Sequence, residues 1–299
     1  MKTRRTRGQR IAHAMVSKIT RHGQKKSCSK DAERTIRSVT TEGHYKFSIR
    51  HYLRWRKFMG LGLKGPYELF ESAEYLDDLA DSLEQKQLES ARQSLVRVLK
   101  QELPPVKSRL QTILSARAYN LFEVQEIIKH QTDRNAICTT LCFVCGLRAH
   151  EALTLRRADE VPRSSNRPWS IELFAGIEDY VPYTVKGKGG LRRLVAIPRH
   201  LAELLELHRL PIPLRVKDRE AIEEVAYAVG AGQAFSQSFS QASQEVMGFS
   251  FGAHGLRHSY AQRRIRTLRG LGFDVNKALK IVSEEMGHFR ISVVWAYLR

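Results

Sequence analysis

Residues 103–109 read Leu-Pro-Pro-Val-Lys-Ser-Arg, and no regular helix continues through Pro104 and Pro105. Each proline lacks the N–H that the helix ladder needs and clashes with the turn before it. The break divides a chain of 299 residues into two parts, each long enough to bury a core of its own. On the N-terminal side, over 31–102, apolar residues recur at helical spacing. Tyr45, Ile49, Tyr52 and Leu53 share one face, as do Leu76, Leu79, Ala80 and Leu83, and Leu88, Ala91, Leu95, Val98 and Leu99 continue the pattern. The Gly60–Pro66 stretch separates two of these helices. The opposite faces carry Arg50, Arg54, Arg56, Lys57, Arg92, Arg97 and Lys100, which predicts a small helical bundle with a basic side.

Beyond a linker at 103–117, the second part spans 118–299. Asn120 is placed to cap a helix running through Phe122, Ile127 and Ile128. An apolar helix over 134–146 stops at Gly146, and a short helix is expected over 148–156. Three short strands are predicted next, Trp169–Phe174, Tyr180–Lys186 and Arg192–Ile197, with the Gly187–Gly190 turn between the second and third. Helices resume after Pro198. Among them an acid-bearing helix is expected over Asp218–Ala228, and the Gly/Ser/Gln-rich stretch Gly230–Ser243 reads as an interruption. Residues 212–250 are read as a surface insertion and protein contact. The expected fold is mainly α with a small antiparallel β-sheet.

The chain carries 50 Lys and Arg against 31 Asp and Glu, a formal net charge of +19. So basic a balance predicts a polyanionic partner. With no apolar run near the roughly 20 residues that span a bilayer, that partner is expected to be nucleic acid rather than membrane. Residues 1–30 hold ten Lys or Arg and no acid. They read as a basic arm, disordered or weakly helical until it meets phosphate, with Arg4, Arg5, Arg7, Arg10, Lys25 and Lys26 as its contacts. The N-terminus lacks the apolar core of a secretory signal, so the protein is expected to stay inside the cell. Cys138, Cys142 and Cys145 fall on an apolar helix and read as buried structural thiols rather than metal ligands.

Four segments carry residues suited to phosphoryl transfer. Breaking a phosphodiester without a metal needs a nucleophile, fixed cations for the charge that builds on phosphorus, and an acid for the leaving oxygen. The first segment, Cys145-Gly-Leu-Arg-Ala-His-Glu151, offers Arg148, with Glu151 one turn on to orient it. The second, Val185-Lys-Gly-Lys-Gly-Gly-Leu-Arg-Arg193, offers Lys188 in a glycine-flanked turn, Lys186 in reserve, and Arg192 and Arg193 as phosphate contacts. The third, Ala253-His-Gly-Leu-Arg-His258, sets His254 and Arg257 three apart on one face, with His258 in a packing or supporting role. The fourth is Gly287-His288, followed nine residues later by Tyr297.

In this order and spacing the four segments resemble the tyrosine recombinase (phage integrase) family, over residues 118–297. The N-terminal helices are similar, less specifically, to that family's core-binding domain. The resemblance implies a core-binding domain plus a catalytic domain clamped on double-stranded DNA. It implies a catalytic set of Arg148, Lys188, His254, Arg257, His288 and Tyr297, and an exposed DNA-contacting set that adds Arg50, Arg54 and Lys57. It further implies cleavage and rejoining through a 3′-phosphotyrosyl bond without ATP, metal or cofactor, for integration, excision or transposition of a DNA element. A homotetramer on two DNA sites, a monomer when free, an accessory directionality or bending factor and a nucleoid-associated place in a prokaryotic cytoplasm belong to the same expectation. The alternatives are a type IB topoisomerase-like enzyme and a catalytically silent DNA-binding regulator of the same fold. Only Leu298 and Arg299 follow Tyr297, where many relatives carry a further helix, so either the chain is truncated or protomers connect another way.

Overall fold

A computed structural model describes residues 5–22, 35–110, 115–219 and 221–298, Lys188 by its backbone only. The chain forms two compact units, 1–113 and 114–299.

The first unit is helical: α1 (Arg7–Ser17), α2 (Val39–Phe58), α3 (Leu69–Ala80) and α4 (Gln85–Leu99). Part of the segment expected as an arm is thus an ordered helix. Thr6 and Gln9 close its start with a reciprocal capping box, and Ala12 and Val16 join a core built on Tyr45, Ile49, Tyr52, Leu53, Leu76 and Leu95. Arg56, expected on the basic face, turns inward instead. It is paired with the buried Glu71 and bonded to the carbonyls of Gly62 (2.9 Å) and Pro66 (3.1 Å), so it holds the loop after α2. The proline segment lies along α3 and α4, with Arg109 N 2.8 Å from the Ala80 carbonyl and Ser108 Oγ 2.6 Å from that of Leu83.

The second unit begins with α5 (Leu121–Lys129), capped by Asn120, and α6 (Asp133–Cys145). Cys138, Cys142 and Cys145 are buried on α6. A 3-10 turn (Glu151–Thr154) takes the place of the helix expected over 148–156. It leads into a three-stranded antiparallel sheet of β1 (Arg156–Arg157), β2 (Tyr180–Lys186) and β3 (Arg192–Pro198), in that order. There follow α7 (Arg199–Leu207), a hairpin of β4 (Arg209–Asp218) and β5 (Ala221–Tyr227), and then α8 (Gly232–Met247), α9 (Gly255–Gly270), α10 (Val275–Glu285) and the short α11 (Ile291–Trp295).

Three expectations are corrected. Trp169–Phe174 is not a strand. Its backbone donors are taken by carboxylates at the end of α10, Ser170 N by Glu284 (2.6 Å) and Phe174 N by Glu285 (3.1 Å), which replace a strand neighbour. Asp218–Ala228 is not a helix but the turn and second strand of the β4–β5 hairpin. Pro211 and Pro213 exclude helix from its first strand, and Lys186 and His150 pair with its acids Glu223 and Asp218. Gly230–Ser243 does not interrupt the helices. Phe235, Phe239 and Ala242 form a buried stripe, and α8 runs through the polar residues around it.

Candidate active site

The site is assembled where α6 ends. Gly146 terminates that helix in the left-handed region (φ 64°), and a Cβ there would lie 2.5 Å from the Tyr260 ring. Its carbonyl, at the negative end of α6, receives the guanidinium of Arg257 and, at 3.1 Å, that of Arg193. Two residues on, Arg148 projects from the loop with its side chain about one third exposed.

Glu151 lies beneath this cluster, 1% exposed. One carboxylate oxygen pairs with Arg148. The other is 2.7 Å from Arg193 Nη2, 3.0 Å from the Arg148 backbone N–H and 3.7 Å from Arg257 Nη1. Burial opposes ionisation, but Arg193, Arg257 and Arg148 together hold the Glu151 carboxyl well below the ordinary carboxylate range.

The third segment enters on α9. Gly255 at its start is packed so closely that a Cβ would be 2.5 Å from the Arg117 carbonyl and 2.6 Å from the Tyr119 ring. That approach seats Arg257, wholly buried, with Nη2 3.0 Å from the Met286 carbonyl. Burial and the Arg148 charge lower its pKa to about 10, which leaves it charged at neutral pH. His254 stands just before the helix, its ring open to solvent and 5.5 Å from the Tyr297 ring. Desolvation and the charges of Arg257, His258 and Arg148 lower its pKa to about 4. His258 is buried, its ring 4.8 Å from that of Tyr297.

The fourth segment closes the site. After α10 the chain turns at Gly287 (φ 72°), and His288 N–H bonds the Ser283 carbonyl at 2.8 Å. This turn is anchored by Glu285, which accepts from Tyr260 (2.8 Å) and from both sides of the Arg264 fork (2.8 and 3.0 Å). His288 Nε2 is then 3.1 Å from Arg148 Nη2, 3.3 Å from Arg257 Nη2 and 3.1 Å from the Tyr297 hydroxyl. A guanidinium can only donate, so the nitrogen facing two of them carries a lone pair, and the ring proton is assigned to Nδ1. Desolvation and the charges of Arg257, Arg148 and Arg193 push the His288 pKa down to about 3. Tyr297 is buried by residues of its own chain, with its backbone carbonyl 3.1 Å from Gln262 Nε2.

Arg148, His254, Arg257, His288 and Tyr297 therefore converge. Lys188 begins the turn between β2 and β3, and its side chain lies outside the described residues. The turn itself abuts the cluster, since a Cβ on Gly187 would be 3.5 Å from Glu151 Oε1 and 4.0 Å from Arg148 Nη1. Lys186 is committed elsewhere, 2.5 Å from Glu223 on the β4–β5 hairpin.

Of the expected DNA contacts, Arg5, Arg7, Arg10, Arg54 and Lys57 are exposed, Arg50 and Arg192 are half-buried, and Arg4, Lys25 and Lys26 lie outside the described residues. Arg193 is corrected: it is 2% exposed and faces the interior. Neighbouring residues of a strand point to opposite faces, so of the Arg192-Arg193 pair on β3 only the first looks outward. On the first unit, a cleft of about 710 Å³ between α1 and α2 is lined by Arg5, His13, Lys46, Phe47 and Arg50 among others, with no acid among the described residues of its wall. Phe47, 54% exposed, lies among those cations, and Phe58 at the end of α2 is 87% exposed, a pattern that the sequence reading missed.

No protein-family profile matches the chain. Among curated proteins it is similar to tyrosine recombinase XerC of Rhizobium meliloti (strain 1021), 31% identical over 166 residues, 55% of this chain and 45% of that protein. The chain thus spans less than half the length of that relative. Among solved structures, XerH site-specific recombinase in a post-cleavage complex with difH substrate superposes over 98% of this chain and 90% of its own, with a TM-score of 0.54 and 17% identity. The lambda integrase dimer bound to a COC′ core site matches over 96% and 77% (TM-score 0.56, 14% identity). The Tn1549 transposon integrase with transposon right-end DNA matches over 96% and 94% (TM-score 0.52, 11% identity). These structural likenesses establish the fold, helical with small antiparallel sheets. The sequence match likens about half of the chain to a tyrosine recombinase.

Proposed function

We propose that this protein is a site-specific DNA recombinase whose strand transfer runs through Tyr297. The observation that carries the reading is the contact of the Tyr297 hydroxyl with His288 Nε2, itself within 3.3 Å of the Arg148 and Arg257 forks. A phosphodiester seated there would place its non-bridging oxygens on the two guanidinium groups, the charge role that a divalent ion fills elsewhere. The Tyr297 oxygen attacks phosphorus and its proton passes to the lone pair of His288, which gains basicity when the phosphate anion offsets the Arg148 and Arg257 charges that depress it in the free protein. The P–O5′ bond breaks and the leaving oxygen takes a proton from Lys188. His254, at the open side, is a further donor to the phosphate.

The phosphotyrosyl ester keeps the energy of the phosphodiester, so attack by a 5′-hydroxyl reseals a strand without ATP. Exchange between two duplexes calls for a tetramer assembled on DNA from chains that are monomeric when free, on the nucleoid of a prokaryotic cell. The XerC, XerH, lambda and transposon integrase likenesses support integration, excision or transposition as the biological class of outcome. The cleft between α1 and α2, with exposed Arg54 and Lys57, is the proposed DNA seat of the first unit.

The test is incubation with a pool of nicked, random-sequence duplexes that cannot religate, followed by denaturing gels and sequencing of trapped DNA. Wild type should give an SDS-resistant adduct and Tyr297→Phe none. No adduct from wild type, or equal adduct from Tyr297→Phe, overturns the reading.

A further inference from the structure

Arg193 has no part in the chemistry just proposed, yet it is among the largest fully buried side chains of the protein. One guanidinium nitrogen is 2.7 Å from Glu151 Oε2 and 3.1 Å from the Gly146 carbonyl, and the other is 2.6 Å from the Glu285 carbonyl. Its stem lies against the turn that presents His288, since a Cβ on Gly287 would be 3.0 Å from Arg193 Cδ. It therefore joins three of the four segments from within: the end of α6, the strand that follows the lysine turn, and the turn into His288.

The charge count gives this placement a consequence. Glu151 orients Arg148, but a buried carboxylate beside two phosphate-binding arginines also cancels one of their charges. Arg148, Arg257 and Glu151 alone sum to +1. With Arg193 the cluster carries +2. A phosphodiester bears one negative charge and its pentacoordinate transition state two, so the second positive charge is the one that favours the transition state over the bound substrate.

We propose that Arg193 is a positioning residue of the strand-transfer site: it takes up the charge of Glu151, so that Glu151 aligns Arg148 without weakening the grip on the transition state, and it fixes the turn that carries His288. The proposal rests on the phosphoryl-transfer reading of the site. The charged groups facing His288 are Arg148 and Glu151 from the loop after α6, Arg257 from α9 and Arg193 from β3, with the Tyr297 hydroxyl opposite. Of these cations only Arg193 makes no direct contact with the His288 ring.

The experiment uses the full chain and a nicked duplex recovered from the trapping assay. Arg193→Met should bind this DNA much as wild type does but form the Tyr297 adduct about 10- to 100-fold more slowly, the range for losing a group that orients a ligand. Arg193→Lys, which keeps the charge, should recover most of that loss. Histidine ring NMR should show the His288 pKa rising in Arg193→Met and staying low in Arg193→Lys. The decisive variant is Glu151→Gln with Arg193→Met, which restores the count of +2 from Arg148 and Arg257. It should exceed the Arg193→Met single variant by roughly tenfold, a coupling expected of contacting residues, whereas a structural strut would leave it equal or slower. An unaltered rate in Arg193→Met overturns the proposal, as does a double variant no faster than the single one. If wild type itself forms no adduct, it is the strand-transfer reading that fails.

Discussion

Replacing Glu151 with glutamine keeps the volume and removes one charge at the most congested point of the protein. The carboxylate, 1% exposed, meets two guanidinium groups directly and a third at 3.7 Å. The amide of glutamine would aim N–H groups at donors, leaving three buried or half-buried cations without their anion. Removing one partner of a buried pair costs about 3–5 kcal/mol. For a unit of this size each kcal/mol lowers the melting temperature by about 2–4 °C, so Glu151→Gln should melt roughly 6–20 °C below wild type by calorimetry at pH 7. The pH dependence has a fixed sign. The folded-state pKa is depressed, so the stabilisation is fully present above the unfolded carboxylate value, about 4.3, and is lost as pH falls through the folded value. The gap between the two proteins should be constant from pH 8 to about 5 and narrow below about pH 4. Equal melting temperatures at pH 7, or a gap unchanged down to pH 3, would refute the idea that the Glu151 charge holds the arginines together.

Arg148→Ala should slow adduct formation by about 10²–10³-fold, the scale of a lost oxyanion donor, while DNA retention on filters changes far less. Lys188→Ala should slow cleavage of an ordinary 5′-oxygen leaving group, and a 5′-phosphorothiolate, which leaves without protonation, should restore it. Lys186→Ala, which removes the partner of Glu223, should do neither. Neutralising Arg54 and Lys57 together should reduce the slope of log affinity against log salt by about 0.9 per lost phosphate contact, read by fluorescence anisotropy. An unchanged slope would remove α2 from the DNA seat. Gly146→Ala, whose Cβ would sit 2.5 Å from the Tyr260 ring, should give a strongly destabilised or insoluble protein, checked by thermal melting of any soluble fraction.

The helix ended by Gly146, the Asn120 cap and the strands β2 and β3 were legible because local rules govern them: a glycine terminator, an N-cap side chain, and β-branched and aromatic runs on either side of a glycine turn. The convergence of Arg148, Arg257, His288 and Tyr297 was legible from spacing and resemblance, since no local rule brings residues 140 positions apart together. What was not legible depended on remote partners. The β4–β5 acids signalled a solvated helix until Lys186 and His150 supplied their counter-charges. The polar composition of α8 hid its Phe235–Phe239–Ala242 stripe. Arg193 looked like the second of two surface arginines, although strand alternation on β3 would have turned one of the pair inward. Glu285, which ties Tyr260, Arg264 and the turn before His288 into one network, carried no sequence signal at all.

The central claim is that the Tyr297 oxygen becomes bonded to DNA phosphorus. Digesting the trapped adduct with protease and nuclease and sequencing the C-terminal peptides by tandem mass spectrometry tests it at the level of one atom. The account predicts a nucleotide attached through the side chain of Tyr297 and a free 5′-hydroxyl on the released strand. A nucleotide on any other side chain, or a 5′-phosphate on the released strand, would contradict it.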